Sequence, residues 1–173
     1  NGQVWGWGLQ FCGEVGTGST LIVDPTMVSD ESASLVVAGS QTSAILKNGT
    51  LKMAGRNDFG QVGDLANTAY SEYQNVALTN VRQVALGWQT IMALQKNSTL
   101  YGWGYNANDL LADGTKKDVY APKQIMTGVD TFAISKWDNT NAAVVKNDGT
   151  LWTWGLNDHG QIGDGTIVQP EGP

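Results

Sequence analysis

His159 is the single histidine of the chain, and carboxylates flank it at Asp158 and Asp164. An imidazole beside a carboxylate is the usual apparatus of general acid–base catalysis. Cys12 is the single cysteine, and a thiol needs a neighbouring base before it acts as a nucleophile. Asn57, Asp58 and Asp64, and again Asn157, Asp158 and Asp164, gather side-chain oxygens of the kind a calcium ion takes. Neither cluster has EF-hand spacing. Trp88, Trp137 and Tyr105 offer a third chemistry, because aromatic rings on turns supply large contact area at low entropic cost.

These residues sit in a repeat, and the repeat changes their reading. A Trp-Gly phrase returns at Gly2–Gly8, Gly49–Gly55, Ser98–Gly104 and Gly149–Gly155, at spacings of 47, 49 and 51 residues. Each phrase runs into a glycine-punctuated loop, so the units cover residues 2–18, 49–65, 98–114 and 149–165. In this frame His159 is equivalent to Cys12, Phe59 and Asn108. A slot that accepts four such different side chains reads as loop filler, so no catalytic residue is assigned. The Asp and Asn residues read as turn formers that bond their own backbone, and neither metal nor cofactor is expected.

The elements that position these loops are short strands. Val81–Gly87 and Thr90–Leu94, with equivalents at 35–39 and 42–46 and at 129–135 and 141–145, read as paired strands before each phrase. Asn48-Gly49 and Asp148-Gly149 are hairpin signals, since both central positions accept positive φ. Each repeat therefore supplies four strands, A to D, with the Trp-Gly phrase as strand C, which is the make-up of a propeller blade. Complete blades are expected at roughly 33–76, 81–126 and 128–170, within one partial propeller domain over 1–173. Trp5, Trp7, Trp103, Trp152 and Trp154 are expected to pack between blades. Trp88 and Trp137 fall instead in A–B turns.

Gly149-Thr150-Leu151-Trp152-Thr153-Trp154-Gly155-Leu156-Asn157, followed by Gly160-Gln161-Ile162-Gly163-Asp164, resembles the repeat of the regulator of chromosome condensation family. Val81, Val84, Gly87, Ala93 and Leu94 match that family's second stretch. The resemblance implies an all-β chain of RCC1-like blades, about half of a seven-bladed ring, from a microbial-type member or fragment. The structural positions it implies are Trp7, Gly8, Gly55, Gly63, Trp103, Gly104, Trp154, Gly155 and Gly163.

Composition narrows the function. A net charge of −6 and only 10 basic residues argue against a phosphate-binding surface, so nucleic acid is an unlikely partner. No apolar run approaches membrane-spanning length. The expected function is a non-enzymatic protein-binding or assembly scaffold, with a protein partner or further copies of the chain. Extracellular, particle or cell-surface placement is expected, on the acidic charge, the polar surface and the family's range. A carbohydrate-binding module using Trp88 or Trp137 is one alternative. Guanine-nucleotide exchange is the other, implied by the family's founding branch; its wedge would need an insertion that the even spacing leaves no room for.

Overall fold

The computed structural model describes every residue except 1, 30, 31, 67, 139, 140 and 171. Its regular elements, among the described residues, are all strands. The first seven are β1 (Val4–Leu9), β2 (Leu21–Ser29), β3 (Leu35–Ala38), β4 (Thr42–Lys47), β5 (Thr50–Arg56), β6 (Ala69–Asn75) and β7 (Val81–Leu86). They are followed by β8 (Thr90–Gln95), β9 (Leu100–Gly104), β10 (Val119–Met126), β11 (Val129–Ile134), β12 (Asn141–Lys146) and β13 (Leu151–Gly155).

Four antiparallel meanders result: β1-β2, β3-β4-β5-β6, β7-β8-β9-β10 and β11-β12-β13. The first is a C–D half-blade, the next two are complete A–B–C–D blades, and the fourth carries strands A to C. Turn chemistry fixes the register. Asn48 and Gly49 both hold positive φ, 49° and 78°, and close a two-residue hairpin between the paired Lys47 and Thr50. Gly8, Gly55, Gly104 and Gly155 end each strand C at φ between 100° and 111°. At Gly55 and Gly104 a Cβ would also collide with the carbonyls of Gln41 and Gln89. Only glycine serves there.

The expected third complete blade over 128–170 loses its fourth strand. Residues 167–170 lie where strand D belongs but make no ladder with β13. Side chains hold them instead: Asn157 Nδ2 donates to the Val168 carbonyl and Gln169 Nε2 to the Asn108 carbonyl, each at 2.9 Å. Pro170 has no N–H to donate. Nothing among the described residues packs over Ile167 and Val168, which stay exposed.

The core lies between blades. Ala44, Met53, Val84, Leu86 and Trp103 form one buried cluster across the second and third sheets. Met92, Leu94, Phe132, Val144 and Trp154 form another across the third and fourth. Trp103 and Trp154 are fully buried, and each indole Nε1 donates at 2.8 Å to a loop carbonyl of the preceding blade, Gln61 for the first and Leu110 for the second.

Trp7, expected to pack in the same way, is instead 61 % exposed. Its side of the first sheet has no preceding blade among the described residues, so the equivalent indole finds no cover. Trp5 and Trp152, also expected between blades, are exposed too. Trp152 stands two residues before Trp154 on the same face of the strand, beyond the covered part of the junction, and its ring lies under the Lys146 ammonium at 5.1 Å.

The second blade departs from the pattern at Ala54, which stands where Trp103 and Trp154 stand. The corresponding carbonyl, that of Glu14, is taken by the Ser43 hydroxyl at 2.5 Å, and Ser43 in turn bonds the Tyr73 hydroxyl at 2.7 Å. Ser43 is the cross-strand partner of Ala54. Small residue plus hydroxyl thus replaces the indole at this junction and leaves no backbone acceptor unpaired.

Candidate functional site

In an A–B–C–D meander the A–B turns and the C–D loops lie at one end of the blade. That end carries Trp88, Trp137, Tyr105, His159 and both acidic clusters. Arg56 and Tyr105, which follow the closing glycines, tie the two kinds of segment together: their amides donate to the Gln41 and Gln89 carbonyls of the A–B turns.

The four loops share one clamp. Asn57 Oδ1 accepts the Val62 amide, Asn106 Oδ1 that of Leu111, and Asn157 Oδ1 that of Ile162, at 2.7, 2.9 and 3.1 Å. Gln10 Oε1 does the same for Val15 at 2.9 Å. The apolar residue so positioned is driven inward; Val62 and Leu111 are buried, whereas Val15 and Ile162 are half-buried. Gln61 and Gln161 each accept the amide two residues back, at Phe59 and His159. The loops are therefore preset, and ligand binding would not have to order them.

The acidic residues are occupied by donors. Asp64 accepts from Asn57, from the Ala66 amide and from the Tyr70 hydroxyl. Asp164 accepts from Asn157 and from both the amide and hydroxyl of Thr166. These Asp164 bonds, the Thr166 amide first, hold its carboxyl below the usual carboxylate range. Among the described residues no group of three or more His, Cys, Asp or Glu is placed to hold a metal ion. His159 is exposed and meets Asp158 at 2.9 Å. Burial, with Glu14 nearby, pushes the Cys12 thiol above its ordinary value, the opposite of what a nucleophile needs.

The aromatics fall into two settings. Trp137 is 75 % exposed and lines a groove of about 210 Å³ with Ala38, Gly39, Ser40, Leu86 and Lys136. The A–B turns of the second and fourth blades meet in that groove over Leu86, the last residue of β7. Trp88 projects from the third blade's own A–B turn and is partly exposed. Tyr105 is half-buried, its ring edge-on to Phe59 with centroids 5.1 Å apart.

That contact belongs to a cluster that sequence reasoning missed. The Arg56 guanidinium lies 5.8 Å from the Phe59 ring centre, bonds Asp58 through Nε at 2.7 Å, and donates to Gln41 Oε1 at 2.7 Å. Burial alone would raise the Asp58 carboxyl, but the bonds from Arg56 and Gln61 outweigh it and leave it lowered. The visible signal was the alignment of Arg56 with Tyr105, and of Phe59 with the loop-filler slot. It brings a ring from one blade against the ring of the next.

Three comparisons bear on this architecture. Residues 148–173 match the family model of the Regulator of chromosome condensation (RCC1) repeat. The whole chain is 29 % identical to the ultraviolet-B receptor UVR8 of Arabidopsis thaliana, covering 41 % of that protein. Over 97 % of its length it is 30 % identical to the human E3 ubiquitin-protein ligase HERC2, of which it covers 4 %. Among solved structures, yeast RCC1 (Prp20) bound to Kap60 superposes with a TM-score of 0.80 at 17 % identity, over 99 % of this chain and 44 % of that one. Human WBSCR16 gives 0.74 at 21 % identity, over 94 % and 44 %. The chain thus spans less than half the length of these relatives. Its residues 148–173 match the RCC1 repeat, and the chain has the fold of RCC1-like β-propellers, of which it contains a part.

Proposed function

We propose that the chain is a non-catalytic protein-binding scaffold whose contact surface is the turn-and-loop end of its blades. The observation that carries this reading is Trp137, three-quarters exposed over a groove built from two A–B turns and the end of β7. A ring of that size left in water contributes most when a partner covers it, and aromatic anchors dominate interface energetics. The clamped loops around it supply a rigid rim. Yeast RCC1, of the same fold, is described bound to Kap60, which supports the use of such blades as a protein-binding frame.

The test is quantitative capture from native extract on the wild-type chain and on Trp137→Ala and Trp88→Ala. Proteins retained by wild type and lost at least tenfold by Trp137→Ala mark this end as the contact surface. An unchanged set on both variants refutes the reading. The same groove would seat a sugar ring on Trp137, and glycan-array binding abolished by Trp137→Ala would replace the protein reading with a lectin-like one. Placement outside the cell or on a particle remains part of the proposal. It is supported by the acidic charge alone, and fractionation of the source cells decides it.

A further inference from the structure

Strand B of each complete meander opens on a polar residue whose side chain has a set task. Thr42, Thr90 and Asn141 are equivalent, each paired across the sheet with the glycine that closes strand C: Gly55, Gly104 and Gly155. In two blades the side chain donates to the carbonyl just after that glycine. Thr90 Oγ1 bonds Tyr105 at 2.6 Å, and Asn141 Nδ2 bonds Leu156 at 2.5 Å. Thr42 breaks the pattern. It is 2 % exposed, and its Oγ1 has no hydrogen-bond partner among the described residues. A buried hydroxyl in that state is unfavourable until something else completes it.

The unpaired hydroxyl lies beneath the Trp137 groove. A Cβ built on Gly39 would stand 3.1 Å from Thr42 Oγ1 and equally close to Leu86 Cβ. Gly39 and Leu86 both line that groove. Its walls come from the second and fourth blades and its floor from the third, so the site is formed between blades the chain itself contains. The volume, about 210 Å³, suits one side chain of a partner; a cavity of ~150 Å³ already admits a benzene ring.

The polar groups here are donors in search of an acceptor. Lys136 and Ser40 line the groove and are exposed, and among the described residues no ion pair occupies Lys136. Asp138, next after Trp137, does not line the groove, and no carboxylate does. The cation on the neighbouring loop, Arg56, is already taken by Asp58 and Gln41. An ionised carboxylate only accepts, and its bonds to an ammonium are about twice as strong as neutral ones.

We propose that this groove seats an acidic side chain of a partner protein. Its carboxylate accepts from Lys136 Nζ and from the Thr42 hydroxyl, while an apolar neighbour in the partner's sequence covers the Trp137 ring. The chain as a whole is acidic, with a net charge of −6, so the attraction is local to Lys136; at physiological salt, exposed charges more than ~8 Å away are largely screened. The proposal rests on the contact surface proposed above and supplies the chemistry of what binds there.

The test is selection from a library of short randomised peptides, capped at both ends, on the wild-type chain and on variants. A second library with free C-termini separates a side-chain carboxylate from a terminal one. Wild type is expected to enrich Glu or Asp beside an apolar residue in the capped library, and Lys136→Glu to exchange that preference for Lys or Arg. Thr42→Val is expected to weaken an enriched peptide about tenfold while the urea midpoint stays level or rises, because the hydroxyl it removes has no partner within the chain. Gly39→Ala, which crowds the hydroxyl without removing it, is expected to weaken the same peptide and serves if Thr42→Val misfolds. The absence of any enriched peptide overturns the proposal. So does enrichment confined to free C-termini, or acidic peptides whose affinity is unmoved by Lys136→Glu. Neutral or basic peptides that are lost in Trp137→Ala overturn the carboxylate and leave the contact surface standing. Acidic peptides that survive Trp137→Ala overturn both.

Discussion

Replacing Trp154 with Ala should cost about 3–5 kcal/mol, the range for deleting a large buried aromatic. Its ring is fully buried between the third and fourth sheets, against a cluster that includes Phe132, Val144 and Leu94. Trp154→Phe separates the contributions. The smaller ring keeps much of the packing, but the Leu110 carbonyl, bonded by the indole at 2.8 Å, loses its donor inside the core. An unsatisfied buried acceptor costs ~1–3 kcal/mol, so Trp154→Phe should fall between wild type and Trp154→Ala. Trp7→Ala is the contrast. It removes the equivalent residue of the repeat, yet 61 % exposure and the absence of a partner put its cost within ~0.5 kcal/mol. The assay is urea denaturation at low protein concentration, followed by tryptophan fluorescence and circular dichroism together. Stacked repeats lose cooperativity readily, so an early fluorescence transition confined to the fourth sheet is an expected form of the Trp154 defect. If Trp7→Ala destabilises the monomer as much as Trp154→Ala, packing in this fold does not come from the neighbouring blade and the argument fails.

Further outcomes follow from the other junctions and from the loops. Ser43→Ala should destabilise by about 1–2 kcal/mol in the same urea assay, since the half-buried Glu14 carbonyl and the Tyr73 hydroxyl both lose a partner. Restoring the repeat residue with Ala54→Trp should also destabilise, by ~1–3 kcal/mol, because Ala54 is fully buried and the space is filled; a stabilised variant would refute this. The Asp58 carboxyl should titrate below the ordinary range by NMR and move up in Arg56→Gln. Its folded value is depressed, so the pair's contribution is complete above the unfolded carboxylate value of ~4 and is lost as pH falls through the folded value. Cys12 should react with thiol reagents near neutral pH more slowly than a free cysteine, as burial and Glu14 disfavour its thiolate; a faster rate would contradict the geometry.

Residue types and spacing made the blade legible. Asn48-Gly49 announced its hairpin, and the closing glycines announced a backbone that no other residue adopts. What spacing could not convey was which copy of the repeat has a neighbour. Trp7 and Trp154 are the same letter in the same phrase, and only the presence of Leu110 beside one of them separates a buried ring from an exposed one. The Arg56–Phe59–Tyr105 cluster was hidden because its members lie in different repeats and meet only when blades stack. At Ala54 the substitution was plain in the alignment, whereas the compensating hydroxyl of Ser43 lies on the adjoining strand.

The amide clamp has a consequence for how such a surface changes over generations. The bond from Gln10, Asn57, Asn106 or Asn157 to the backbone five residues later sets each loop's path without using the residue two positions after the clamp. That position holds Cys12, Phe59, Asn108 and His159, so a thiol, a benzyl ring, a carboxamide and an imidazole ride on one backbone course. At the exposed His159, mutation can rewrite the chemistry shown to the outside without disturbing the clamp. The half-buried Phe59 is also held against Tyr105 and Arg56, so change at that tip is coupled to the next blade.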